Sequence, residues 1–186
     1  RKNLLKKAKI ATIIACRMKS NRLKSKAILS IGTLSSIELC IKNALTFKNI
    51  DHTILATSHL SSDKILKKYK YSKDVIFHQG NPDDVIDRYL KIIRKLSIDV
   101  FVRVTGDMPF ISNEILQILL SSHFQSSADF TTARNATLGT NLEIINASSL
   151  EKVHRYFPNA NYSEYMSLYF KNNKDYFKLN IVDIPP

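Results

Sequence analysis

The sequence has little cysteine, and neither cysteine lies in a pattern typical of a disulfide or a metal site. Cys16 and Cys40 lie in apolar segments without a CxxC pair, so we expect both to be buried, reduced thiols. The five histidines are scattered without the spacing of metal ligands, which argues against a bound zinc ion. Zinc-binding and disulfide-stapled classes of domain are therefore disfavoured.

Long hydrophobic runs are also missing. No apolar segment reaches the length needed to cross a bilayer. The basic segment 1–9 is followed by a short apolar run, Ile10 to Cys16, and then by Arg17 instead of the small residues of a signal-peptide cleavage site. We therefore expect a cytoplasmic protein with no membrane association. Its 186 residues are enough for one domain with a real core.

Motifs for nucleic-acid binding are absent as well, although the net charge of +12 could suit such a function. The sequence has no zinc-finger spacing, no aromatic ribonucleoprotein motif and no helix-turn-helix signature. Much of the excess charge is lysine in surface-like stretches such as 64–70 and 171–174. We interpret the charge as a solvated basic surface, which is equally compatible with a small polyanionic substrate. A basic nucleic-acid-binding domain stays open as the alternative from another class.

Strand-like and helix-like segments alternate along the first two thirds of the chain. Residues 10–16 are a continuous apolar, β-branched run, typical of a strand buried on both faces of a parallel sheet. Further strands are predicted over 53–58, 75–78 and 100–104, and helices over 34–47, 61–69 (capped by Ser61 or Ser62), 83–96 and 115–120 (capped by Ser112). This alternation predicts an α/β fold with three layers and a mainly parallel, doubly wound sheet. Ligands of such sheets bind at the carboxyl ends of the strands.

The pattern changes after Phe124. Strands are predicted over 128–133, 141–146 and 177–183, and helices over 148–156 and 163–170. The change predicts a mixed C-terminal half that contains antiparallel strands. A half of this kind often covers the nucleotide site of an α/β protein.

Two segments at predicted strand ends carry side chains suited to a nucleotide. The loop 17–26 holds five cations, and a fork of arginine and lysine donors can hold a triphosphate, although composition alone fits a solvated loop equally well. It is not a Walker loop, because GxxxxGK[ST] is absent. Asp107 leaves a buried strand in a Thr-Gly-Asp turn, where Gly106 allows close backbone approach and Pro109 stiffens the exit. Mg²⁺ uses one or two carboxylates and completes its shell with water and phosphate oxygens, so Asp107 is a candidate ligand.

Five segments follow one another in an order typical of one enzyme family. They are the opening strand with Ala-Cys-Arg-Met-x-Ser-x-Arg-Leu-x-x-Lys (15–26), 55–58, 80–89, 99–109 and 139–145. In this order they resemble the SpsF-type cytidylyltransferases, relatives of the acylneuraminate and ketodeoxyoctonate cytidylyltransferases. The resemblance implies a nucleotide-diphospho-sugar transferase (glycosyltransferase-A-like) fold. It also implies one nucleotidyltransferase domain over 1–186, expected to be incomplete at both ends, with a nucleotide-binding half over about 9–122 and an acceptor-binding half over about 123–186.

The resemblance also implies roles for individual residues. Arg22 and Lys26 would grip the β- and γ-phosphates as catalytic cations, while Arg17 and the backbone near Ala15 would border the base. The other residues expected at the nucleotide are Thr57, Ser58, Asp83, Asp84 and Thr105. Asp107 would bind the catalytic Mg²⁺ together with Asp183, which lies in the Val-Asp-x-Pro pattern of 182–185. The candidates for contacting the acceptor are Arg134, Asn141 and Glu143.

The implied reaction is a Mg²⁺-dependent transfer of CMP from CTP to a sugar acid or sugar phosphate, with release of pyrophosphate, for surface polysaccharide or glycan biosynthesis. Lys24-Ser25 replaces a usual Pro-Gly, Asn141 a usual acid and Tyr165 a usual histidine. These departures leave sugar specificity and full activity open. The alternatives are a guanylyl- or other sugar-1-phosphate nucleotidyltransferase, a glycosyltransferase of the same fold, and an inactive homologue. The resemblance also implies a homodimer that forms through residues 135–170.

Overall fold

The computed structural model describes residues 8–19, 25–137, 139–158 and 163–184. Its strands are β1 (Ile10–Ala15), β2 (Ser30–Ile31), β3 (Leu34–Ser35), β4 (His52–Ser58), β5 (Ile76–Gly80), β6 (Val100–Thr105), β7 (Phe130–Arg134), β8 (Glu143–Asn146) and β9 (Leu179–Asp183). Seven of them form one sheet in the order β5-β4-β1-β6-β8-β7-β9. Strand β8 runs antiparallel to both neighbours, and the other pairs are parallel. The predicted mainly parallel sheet with a mixed C-terminal half is confirmed.

Helices cover both faces of this sheet and make the three predicted layers. They are α1 (Ser36–Ala44), α2 (Val85–Leu96), α3 (Asn113–Ser126), α4 (Ala147–Tyr156) and α5 (Met166–Lys171). Ile10 and Ile14 of β1 belong to the core on one face, with α1 and α3. Ala11 and Ile13 belong to the core on the other face, with α2, α4 and α5. Burial of one such isoleucine side chain contributes about 1.5–3 kcal/mol, so the central strands and their carboxyl ends are firmly held.

The region around the predicted helix 34–47 contains a small hairpin that the sequence analysis missed. Leu34–Ser35 pairs with Ser30–Ile31 as β3 and β2, and α1 is therefore shorter than predicted. Ser35 ends the hairpin and starts the helix in a capping box, since its side chain accepts from Glu38 N and its own N donates to the Glu38 carboxylate at 2.9 Å. Strands of two residues are too short to show an alternating pattern, so the sequence predicts helix throughout this region.

Other predicted boundaries also differ from the structure, and α3 is longer at both ends than the predicted 115–120. Residues Ser61–Tyr69 form a 3₁₀ helix that begins after Leu60, and neither Ser61 nor Ser62 caps it. Helix α2 begins two residues later than predicted, with Asp84 as its N-cap. The predicted helix 163–170 is a 3₁₀ turn, Ser163–Tyr165, followed by α5. The Ser112 cap of α3 is confirmed: its side chain accepts from Ile115 N.

Both cysteines are buried and free, as predicted. Burial raises the pKa of Cys16 and of Cys40 to about 12 each, so neither is a thiolate at neutral pH. None of the helices in the described part of the chain is both long enough and apolar enough to span a membrane.

Candidate functional site

A cavity of about 420 Å³ opens at the carboxyl ends of β1 and β6. It is lined by Ala15, Cys16, Arg17, Lys19, Lys26, Ala27, Arg103, Thr105, Gly106, Asp107, Glu164 and Tyr165. This is the edge at which doubly wound sheets bind their ligands. The structure therefore brings together five residues that the sequence analysis assigned to a nucleotide site: Ala15, Arg17, Lys26, Thr105 and Asp107.

Asp107 is held in a tight turn at the end of β6. Met108 N donates to Thr105 O at 3.0 Å, and Gly106 N donates to Ala15 O at 2.8 Å. The half-exposed carboxylate accepts a hydrogen bond from Lys26 Nζ at 3.2 Å. Burial opposes ionisation, but hydrogen bonds from Thr105 and Lys26 and the lysine charge outweigh it and hold the pKa of Asp107 below its ordinary value. Asp107 is therefore an ionised carboxylate that faces the cavity.

Gly106 lets this turn lie directly against the core. A Cβ atom there would meet Cys16 Sγ at 3.0 Å and Ile37 Cδ1 at 2.9 Å. Both neighbours are buried, so they have little room to move away. The close approach keeps Asp107 next to the end of β1.

We expect Gly106→Ala to lower the free energy of unfolding by about 1–3 kcal/mol, because the added methyl group overpacks the core. Denaturant unfolding would measure the loss. Ile37→Val removes the methyl group that Gly106→Ala would strike, so the double variant should be more stable than the sum of the two single losses predicts. Strict additivity of the two losses would contradict this steric explanation.

The cations of the opening loop, residues 17–26, make different contacts. Lys26 begins a short 3₁₀ helix, Lys26–Ile28, and contacts Asp107. Arg17 donates through Nη1 to Pro82 O at 2.9 Å and through Nη2 to the Glu164 carboxylate at 3.1 Å. The predicted phosphate ligand Arg22 lies outside the described residues. Lys19, which the sequence analysis did not single out, also lines the cavity.

Four residues assigned to the nucleotide by resemblance lie away from the cavity lining. Thr57 and Ser58 are fully buried in β4, and the Ser58 hydroxyl donates to the Asp63 carboxylate. The Asp84 carboxylate caps α2 by accepting from Asp87 N at 2.9 Å. Asp83 is exposed in the preceding turn. A direct role for these four side chains in nucleotide binding stays a prediction.

Arg103, which lines the cavity, belongs to a largely buried ion pair. Arg103 of β6 lies opposite Glu143 of β8 in the strand register, and Arg103 Nη1 donates to Glu143 Oε2 at 2.7 Å. Ser167 Oγ donates to the other oxygen of Glu143 at 2.7 Å, and Arg103 Nη2 donates to Glu164 O at 2.9 Å. Burial disfavours the Arg103 cation, but the Glu143 carboxylate outweighs it and raises the pKa of Arg103. The pair thus anchors the segment that carries Glu164.

This anchoring role was missed for Arg103, and it changes what Glu143 can do. Both carboxylate oxygens of Glu143 accept hydrogen bonds from protein donors. A contact between Glu143 and the acceptor sugar therefore stays a prediction. The sequence does contain a sign of this role. Arg103 is the one charged side chain in the otherwise apolar and β-branched run of residues 100–105. A cation in a buried strand needs a partner.

Arg134 and Asn141, two further candidates for contacting the acceptor sugar, are bound to other parts of the protein. Arg134 and Asp183 face each other across β7 and β9, joined by Nε–Oδ1 at 2.7 Å and Nη2–Oδ2 at 2.9 Å. A hydrogen bond from Arg134 lowers the pKa of Asp183. The Asn141 amide links the ends of β7 and β8, since Nδ2 donates to Ala133 O at 3.1 Å and Oδ1 accepts from Leu142 N at 2.8 Å.

The donors at this edge fit a magnesium ion held by few protein ligands. Within the described residues no group of three or more His, Cys, Asp or Glu side chains could form a protein-made metal cage. Mg²⁺ often takes only one or two carboxylates, and Asp107 offers an ionised one in the cavity. Asp183 is the last residue of β9, which lies three strands from β6 in the sheet, or about 14 Å between strand axes. It would have to leave Arg134 to join Asp107 at one ion.

Several known proteins are similar to this chain over much of its length. A family model described as "Cytidylyltransferase" matches residues 11–184. The spore coat polysaccharide biosynthesis protein SpsF of Bacillus subtilis is 29% identical over 95% of this chain and 75% of its own. A 3-deoxy-manno-octulosonate cytidylyltransferase of Rickettsia canadensis is 34% identical over 62% of this chain and 48% of its own. A cytidylyltransferase structure from Leptospira borgpetersenii superposes with a TM-score of 0.84 at 26% identity, covering 96% of this chain and 76% of that one.

Proposed function

The chain belongs to the cytidylyltransferase family and is a nucleotidyltransferase, and from this premise we propose that it transfers CMP from CTP to a sugar acid, with release of pyrophosphate. The observation that carries the proposal is the cavity in which Asp107 and Lys26 meet at 3.2 Å at the ends of β1 and β6. A carboxylate for a divalent cation and a lysine for phosphate oxygens are the groups that nucleotidyl transfer needs. The proposed pathway is the synthesis of a surface polysaccharide or glycan.

In the proposed reaction a hydroxyl oxygen of the sugar attacks the α-phosphorus. A bond forms between that oxygen and the α-phosphorus. The bond from the α-phosphorus to the bridging oxygen breaks, its electron pair leaves with the pyrophosphate, and the hydroxyl proton passes to solvent. Lys26, with Arg22, would stabilise the charge of the departing pyrophosphate. Asp107 would hold Mg²⁺, which when bound neutralises charge on the phosphates. No nucleophile of the protein is required, because the acceptor supplies it.

The acceptor is proposed to lie beside the C-terminal half, near Arg134, Asn141 and Glu143. Its acidic character is supported by the Rickettsia relative, whose name specifies a sugar acid, and by the cations that line the cavity. A sugar phosphate is the alternative acceptor. The second magnesium ligand Asp183, the homodimer and the cytoplasmic location stay predictions.

We expect CTP with Mg²⁺ to raise the melting temperature more than UTP, GTP or ATP does. At a ligand concentration of 100 times Kd the stabilisation is about 2.7 kcal/mol, which corresponds to a shift of roughly 5–10 °C. A thermal-shift panel of the four nucleotides would measure it, and pyrophosphate release with a set of sugar acids and sugar phosphates would then identify the acceptor.

The same panel separates the alternatives. A larger shift with GTP or UTP would favour another sugar nucleotidyltransferase. No shift with any nucleotide, together with tight and salt-dependent binding to generic RNA, would favour the nucleic-acid-binding domain. CTP binding without pyrophosphate release from any acceptor would favour an inactive homologue.

A further inference from the structure

Arg88 of α2 is a buried cation held by backbone carbonyl groups. Its side chain is 1% exposed, and it donates through Nε and Nη2 to Asn81 O at 3.0 and 2.6 Å and through Nη2 to Pro82 O at 3.2 Å. Within the described residues it makes no ion pair with a carboxylate. The other buried arginine of the region, Arg103, has such a partner in Glu143.

The position of Arg88 is set closely by its neighbours. Gly80 leaves space for it, because a Cβ atom there would meet Arg88 Cγ at 2.6 Å. Burial, and then the nearby charge of Arg17, lower the pKa of Arg88. Placing an unpaired cation in such a site costs several kcal/mol. A side chain kept there against that cost is well suited to bind something that the protein itself does not supply.

Arg88 lines a second, smaller cavity of about 110 Å³. This cavity adjoins the main one, since Ala15, Cys16, Arg17, Arg103, Thr105 and Glu164 line both. Arg17 and Arg88 donate to the same carbonyl oxygen, that of Pro82, so the two guanidinium groups lie side by side. Nη1 of Arg88 has no acceptor within the described residues. Nη1 is therefore the donor of Arg88 that remains for a ligand in the small cavity.

We propose that Arg88 is a specificity-determining residue that reads the edge of the cytosine base in the small cavity. This inference rests on the function proposed above, in which the phosphates occupy the main cavity. A guanidinium offers only donors. Cytosine presents two adjacent acceptors, O2 and N3, whereas uracil carries a hydrogen on N3 and would set a donor against a donor. The small volume suits a single ring better than a purine. A buried donor left unpaired by the wrong base provides the discrimination.

The test is equilibrium binding of CTP, UTP and 3-deaza-CTP with Mg²⁺ to the intact chain and to Arg88→Lys. In 3-deaza-CTP a C–H group replaces N3, so one acceptor is lost while the ring keeps its shape. We expect the unchanged chain to bind CTP about 10- to 100-fold more tightly than either analogue, the effect of one charge-assisted hydrogen bond. In Arg88→Lys, which keeps the charge but loses the Nη1 donor, both ratios should fall towards one.

Arg94→Lys is the matched control, because Arg94 lies on the same helix but is exposed and paired with Glu151; it should leave both ratios unchanged. If Arg88 had a purely structural role, Arg88→Lys would weaken the binding of CTP and of both analogues alike. The affinity ratios would then stay as they are in the unchanged chain, which would overturn the inference. Should Arg88→Lys not fold, the unchanged chain still decides: equal binding of CTP and 3-deaza-CTP would overturn it. Failure to bind any nucleotide would instead overturn the proposed function.

Discussion

Asp107→Asn is expected to lower the rate of pyrophosphate release from CTP and a sugar acid by about 10³-fold, the scale on which loss of a transition-state electrostatic contact acts. The substitution keeps the shape of the side chain and an oxygen that can accept from Lys26, but it removes the negative charge. Because the pKa of Asp107 is held below its ordinary value, this charge is present throughout the neutral range. Turnover with a saturating acceptor would measure the effect.

The fold should survive this change, because the Asp107 side chain is half exposed and its ion pair within the described residues is with the half-exposed Lys26. Exposed pairs of this kind contribute about 0–1 kcal/mol, so the melting temperature should move little. Asp74→Asn is a matched control: Asp74 is exposed and bonds only locally, to Ser72. An unchanged turnover number in Asp107→Asn would remove Asp107 from the reaction. So would an equal loss in Asp74→Asn.

The central strands and the edge where ligands bind could be predicted from local patterns. The apolar run of β1 and the Thr-Gly-Asp turn after β6 are each readable within ten residues, and the parallel topology then places their ends together. Thr57 and Ser58 could not be placed in the same way. Small hydroxyl residues at a strand end look exposed in the sequence, but β4 lies between β1 and β5 and both side chains are buried.

The contacts that shape the cavity could not be predicted, because they join distant parts of the chain. Arg17 and Glu164 are 147 positions apart, and Arg134 and Asp183 are 49 apart. Each such pair depends on the order of the strands, and β8 is inserted between β6 and β7 in the reverse direction. Sequence patterns report burial and periodicity, but they do not report which strand lies beside which. The sequence therefore predicts a metal ion as the partner of Asp183, whereas the structure shows Asp183 bound to Arg134.

Arg103→Met is expected to lower the free energy of unfolding by about 3 kcal/mol, because it leaves the Glu143 carboxylate without its counter-charge. The side chains of Arg103 and Glu143 are only 14% and 15% exposed, so water can replace the lost partner poorly. Urea unfolding would measure the loss. Glu151→Ala is the control, since it breaks the exposed pair with Arg94 and should cost about 1 kcal/mol or less.

The double variant Arg103→Met/Glu143→Leu separates stability from the shape of the site. Removal of both charges leaves none unpaired, so most of the lost stability should return. The contact from Arg103 Nη2 to Glu164 O would still be missing, and with it one anchor of the segment that carries Glu164 and Tyr165 into the cavity wall. We therefore expect the double variant to be stable but to bind CTP more weakly than the unchanged chain. Full recovery of both the stability and the CTP affinity would mean that the ion pair only fills space. If neither recovers, the stability lost in Arg103→Met comes from packing and not from the unpaired charge.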